Sequence, residues 1–92
     1  IAQFREAIRA NPKYAAAYNN LAENLVQQGK LEEALPYYGT SVTEEPSATV
    51  YNKSGVVLMR LGRTDEAAEQ FRKAIAMKPG YTEASSNLAA IQ

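Results

Sequence analysis

The sequence predicts an all-α protein made of repeated helical hairpins, and three observations carry that prediction. Aromatic and proline positions recur: Phe4, Tyr38 and Phe71 follow one another at 34 and 33 residues, and so do Pro12, Pro46 and Pro79. Between these marks, apolar side chains return at steps of three and four, the period of an amphipathic helix. No stretch alternates with period two, so no sheet is expected.

The recurrence is first visible at long range. The stretch beginning at Asn11 reads NPKYAAAYNNLA, and that beginning at Lys78 reads KPGYTEASSNLA. Pro12 and Pro79, Tyr14 and Tyr81, Asn20 and Asn87, and Leu21 and Leu88 are each 67 residues apart. Half that distance recurs as well. Tyr18 and Tyr51, Leu25 and Leu58, Gly29 and Gly62, and Ala34 and Ala67 are each 33 apart. The period is therefore 34, with one residue missing from the middle copy. The spacing is still 34 at Pro46 and already 33 at Tyr51, which places the deletion in the turn EPSAT.

Each element then has a local reason. The first, roughly 1–10, carries Phe4 and Ile8 and stops before Pro12. The second, roughly 14–28, sets Tyr18, Leu21, Ala22, Leu25 and Val26 on one face and ends at Gly29, a residue suited to the left-handed position past a helix end. The third, roughly 31–44, is the weakest. Pro36 removes a backbone donor, Gly39 adds conformational freedom, and Thr40, Val42 and Thr43 are β-branched. It is also acidic, from Glu32 and Glu33 to Glu44 and Glu45. The fourth, roughly 48–61, ends at Gly62 as the second ends at Gly29. The fifth, roughly 64–77, opens with Thr64 placed to cap, has Asp65 and Glu66 in its first turn, and is closed by Pro79. The sixth, roughly 81–92, repeats the second up to Leu88 and carries Ile91 beyond it. The chain divides into a half repeat over 1–12, full repeats over 13–46 and 47–79, and a half repeat over 80–92. With no polar cap at either end, it is expected to be an excerpt of a longer array, its end helices available for self-association.

Composition narrows the chemistry. Ten basic and ten acidic residues cancel, which offers no electrostatic case for nucleic acid or an anionic membrane. No apolar run reaches the roughly 18 residues a membrane span needs. Cysteine and histidine are both absent, excluding disulfides, thiol chemistry, the usual zinc ligands and any Ser-His or Cys-His pair. The absence of cysteine fits a reducing compartment, and a cytoplasmic location is favoured. The acid pairs Glu32-Glu33, Glu44-Glu45 and Asp65-Glu66 sit at helix starts or turns and read as solvated charges. No active site, metal site or cofactor is expected.

Two full units with Tyr18, Leu21, Ala22, Leu25, Gly29, Ala34, Tyr38 and Pro46, then Tyr51, Gly55, Leu58, Gly62, Ala67, Phe71, Ala74 and Pro79, resemble the tetratricopeptide repeat. The pattern departs at Ser41, where that family usually has Ala, and at Ser54, where it usually has Leu. The resemblance implies about six antiparallel helices in a right-handed α–α superhelix. The first helix of each pair lines a concave surface that commonly grips an extended peptide.

The family's inward positions fall on Asn19, Asn20, Glu23 and Gln27, then on Asn52, Lys53, Val56 and Arg60, then on Ser86, Asn87 and Ala90. Steps of three and four keep 20, 23 and 27, like 53, 56 and 60, on one face. Asn and Gln amides both donate and accept, which suits a peptide backbone. Asn20 and Asn87 resemble the asparagine ladder of some members, including protein glycosyltransferase arrays, with Lys53 interrupting it. Chaperone-binding members grip a terminal carboxylate with a basic and asparagine clamp. At those positions stand Asn19, Glu23, Lys53, Glu83 and Asn87, and the two acids oppose that role. The expected function is a non-catalytic module binding a protein or peptide. The alternative is the repeat arm of a larger enzyme or membrane protein, for example a glycosyltransferase, that recruits protein substrate.

Overall fold

The computed structural model describes residues 13–92. The helix expected over 1–10 lies outside the described residues. Among the described residues there are five α-helices and no strand: α1 (Lys13–Gln27), α2 (Leu31–Glu44), α3 (Ala48–Arg60), α4 (Thr64–Met77) and α5 (Thr82–Ile91). The chain forms two compact units that divide between Pro46 and Ser47. The first contains the α1–α2 hairpin, and the second contains α3, α4 and α5.

The two hairpin turns share one construction. Gly29 and Gly62 have φ of 82° and 79°, where a side chain would be strained. Past α1, the Lys30 N–H donates to the Leu25 carbonyl at 2.8 Å and the Gly29 N–H to Val26 at 2.9 Å. Past α3, Arg63 donates to Leu58 at 2.9 Å and Gly62 to Met59 at 3.0 Å. Both are Schellman ends, in which the left-handed glycine lets two N–H groups fold back onto orphaned carbonyls.

The helix starts correct one expectation. Thr64 does not cap α4. Arg63 holds the cap position without a side-chain cap bond, and the Thr64 hydroxyl instead donates back to the Gly62 carbonyl at 3.4 Å. Arg63 pairs with Glu66 in the first turn, which holds the Glu66 carboxyl below its usual range chiefly through that hydrogen bond. The true side-chain cap is Ser47, whose oxygen accepts from the Val50 N–H at 3.3 Å.

In the first unit, Ala15, Tyr18 and Ala22 of α1 and Ala34, Tyr38 and Ser41 of α2 are buried. The Ser41 hydroxyl, where the family usually places Ala, donates to the Ala15 carbonyl at 2.9 Å. The rings of Tyr18 and Tyr37 lie 5.5 Å apart, tilted by 33°. Leu21, placed in the apolar stripe by its spacing, is 39% exposed, as is Tyr14. On a helix of 3.6 residues per turn both lie on the side of Tyr18 opposite to Ala15 and Ala22, and burial follows the alanine side. α2 continues through Pro36 to Glu44. Proline withholds the N–H that would bond the preceding turn, while the Thr40 and Thr43 hydroxyls donate to the carbonyls of Pro36 and Gly39.

In the second unit, Gly55 of α3 meets Phe71 of α4. A Cβ at Gly55 would stand 2.5 Å from the Phe71 ring, so only glycine admits this approach. Phe71, Ala67 and Ala74 have no exposed surface. α5 joins through Ala84, also fully buried. The turn before α5 is bracketed by a Lys78 ammonium 5.0 Å from the centre of the Tyr81 ring.

Candidate functional site

The polar group with defined geometry lies in the second unit and joins α3 to α5. Asn52 is 1% exposed, so both ends of its amide must be satisfied or cost desolvation energy. Its Nδ2 donates to Glu83 Oε1 at 2.9 Å, and its Oδ1 accepts from Asn87 Nδ2 at 3.1 Å. Glu83 and Asn87 are four residues apart on α5 and therefore share a face. Asn52 and Asn87 are among the expected inward residues and Glu83 stands at a clamp position, but the bonds by which Asn52 ties the other two together are new with the structure. The available signal was the one-turn spacing of Glu83 and Asn87.

The remaining positions are distributed as follows. On α3, Lys53 and Val56 are half-buried and Arg60 is exposed. On α1, Asn20 and Gln27 are exposed, and Asn19 and Glu23 are half-buried. Among the described residues the enclosed Asn19 Oδ1 has no hydrogen-bond partner, unlike the equivalent atom of Asn52. Glu23 bears on its own unit: burial, and secondarily the Glu23 charge, pushes the Tyr38 hydroxyl up to about 12. Ser86 parts from Asn87. It lines a shallow recess of about 360 Å³ with Pro79, Gly80, Thr82, Ser85 and Ala89, on a face of α5 defined by steps of three and four through 82, 85, 86 and 89.

Among the described residues no cluster of acids could hold a metal ion. No helix among them is long and apolar enough to cross a membrane.

A family model described as tetratricopeptide repeat matches residues 1–49, 20–82 and 52–91. The chain belongs to the tetratricopeptide repeat family. Among curated proteins, it is 32% identical over 72 residues to the tetratricopeptide repeat and J domain-containing co-chaperone DNJ1 of Fusarium oxysporum, a match covering 77% of this chain and 14% of that protein. It is 35% identical over 79 residues to tetratricopeptide repeat protein 36 of Xenopus tropicalis, covering 80% of this chain and 39% of that one. The chain thus spans well under half the length of these relatives. Among solved structures, it resembles the second tetratricopeptide domain of Spaghetti (RPAP3), determined bound to the HSP90 peptide SRMEEVD. The TM-score is 0.84 at 17% identity, covering 90% of this chain and 78% of that one. At that identity the likeness speaks for the helical-repeat fold.

Proposed function

We propose that this tetratricopeptide chain is a non-catalytic interaction module that holds an extended segment of a partner protein. The observation that carries the reading is the oriented amide pair of Asn52 on α3 and Asn87 on α5, with Lys53 next to Asn52 along the chain. An amide fixed by a buried neighbour offers a peptide backbone a preset acceptor or donor, so less ordering is lost on binding. Lys53 and Arg60 lie two turns apart on α3 and supply positive charge for an acidic side chain of the ligand. The corresponding face of α1 carries Asn19, Asn20, Glu23 and Gln27, suited to the same backbone contacts. That a relative in fold binds a peptide supports the class of ligand, and its particular peptide is not carried over. A cytoplasmic setting accords with the cysteine-free composition.

The test uses peptides selected by display against the 92-residue chain. The double change Lys53→Ala and Arg60→Ala should weaken capture by about tenfold or more and flatten its salt dependence. The double change Glu69→Ala and Arg72→Ala on exposed positions of α4 should leave it unchanged. Binding as tight as the parent's by the first variant at low salt would remove α3 from the site.

A further inference from the structure

The Asn52–Glu83–Asn87 network fixes the polarity of the surface it presents. A carboxylate can only accept, so the Asn52 end facing Glu83 must be its NH₂ group. The other end, Oδ1, can then only accept, and Asn87 must present its own NH₂ to it. The orientation of both amides thus follows from the presence of one carboxylate, not from a choice of flips. The chain of bonds leaves two acceptors unused, the second Glu83 oxygen, on an exposed residue, and the Asn87 Oδ1, with the carboxylate carrying the only formal charge among the three side chains. Among the described residues Glu83 has no cationic partner.

We infer that Glu83, with the Asn87 carbonyl beside it and Asn52 as the positioning residue beneath, receives a lysine or arginine side chain of the bound segment. The inference rests on the peptide-capture reading and gives that site a second specificity. An ammonium or guanidinium brings several N–H donors and a positive charge to this exposed, oriented carboxylate. A terminal carboxylate placed against Glu83 would meet like charge, which disfavours it at that position. Because Asn52 is buried and bonded at both ends, the Glu83 carboxylate is held before the ligand arrives, which favours selectivity over adaptation.

The experiment compares display selections from one random peptide library on the parent chain and on Glu83→Gln. Glutamine keeps the acceptor for Asn52 and removes the charge, so unchanged thermal melting confirms that the fold is kept. The parent should enrich one basic position. Individual peptides carrying it should bind Glu83→Gln about tenfold more weakly, and Glu83→Lys should favour an acidic residue at that position. Equal enrichment of the basic position on Glu83→Gln overturns the assignment. Parent-selected peptides with no basic position also overturn it, while leaving peptide capture standing. Peptides that lose binding on N-terminal acetylation but not on replacement of the basic residue would show a terminal amine in that place, which likewise overturns it. If the parent enriches no peptide at all, peptide capture fails first and this inference with it.

Discussion

The two hairpins share one frame but are closed by different contacts. In the α3–α4 pair, glycine faces a phenylalanine ring, and the Lys73 ammonium lies 5.8 Å from the centre of the Tyr51 ring. In the α1–α2 pair the same positions hold Ala22 and Tyr38, and a serine hydroxyl bonds across to the Ala15 carbonyl. The first solution gains close approach by removing a methyl group. The second keeps the methyl, admits a buried phenol, and ties the helices by a hydrogen bond. The repeat thus specifies where helices meet and leaves open which force closes the contact.

A substitution at Gly55 should disturb the second hairpin more than any change at Tyr38 or Ser41 disturbs the first. Gly55→Ala gains helix propensity, by about 1 kcal/mol. It also drives a methyl into a ring that is itself fully buried and cannot retreat. Overpacking of this kind costs about 1–3 kcal/mol, so a net loss of stability is expected in chemical denaturation. A neutral or stabilising result would mean that the second hairpin can open to the spacing of the first.

Alkaline titration reaches the buried phenol of the first hairpin. The pKa of the Tyr38 hydroxyl is pushed up to about 12 from the ordinary 10.0 of a phenol, through burial first and the Glu23 charge second. The folded state therefore holds this proton more tightly than the unfolded chain does. Its contribution is complete below pH 10 and is lost as pH rises through 12, by about 2 kcal/mol across that window. Tyr38→Phe, which copies Phe71, should abolish this part of the alkaline decline. Identical slopes for parent and variant between pH 10 and 12 would show that Tyr38 ionises as freely as an exposed phenol.

The smallest effect is expected at Ser41. Ser41→Ala restores the residue usual in the family but removes the bond to the Ala15 carbonyl. A loss of about 1 kcal/mol is expected, typical of a neutral hydrogen bond. A gain instead would show that the hydroxyl costs more to bury than its bond returns.

Much of this architecture was legible in the residues because it is written locally. Glycine at a left-handed position and proline after a helix act within a few residues, and the described helix bounds fall close to those expected. The failures have a common character. Thr64 has the composition of a cap, but its hydroxyl finds the Gly62 carbonyl. Leu21 has the right spacing, but burial favours the alanine side of its helix. The Ser41–Ala15 bond spans 26 residues and the Asn52–Glu83 bond 31. Such pairings depend on how two helices are set against each other, which no single window of sequence reports. For the site, spacing located the face, while the direction of each amide required the three-dimensional register.

The tilted pair of Tyr18 and Tyr37 has a practical consequence. The chain has no tryptophan and six tyrosines, four of which, Tyr14, Tyr18, Tyr37 and Tyr38, belong to the first unit. Two of those rings are held at 5.5 Å in a fixed chiral arrangement, so near-ultraviolet dichroism and tyrosine emission are weighted toward the α1–α2 hairpin. The backbone signal, by contrast, counts every helix alike. The molecule carries its own regional thermometer: a gap between the two melting curves reads out how independently the halves come apart, without any label.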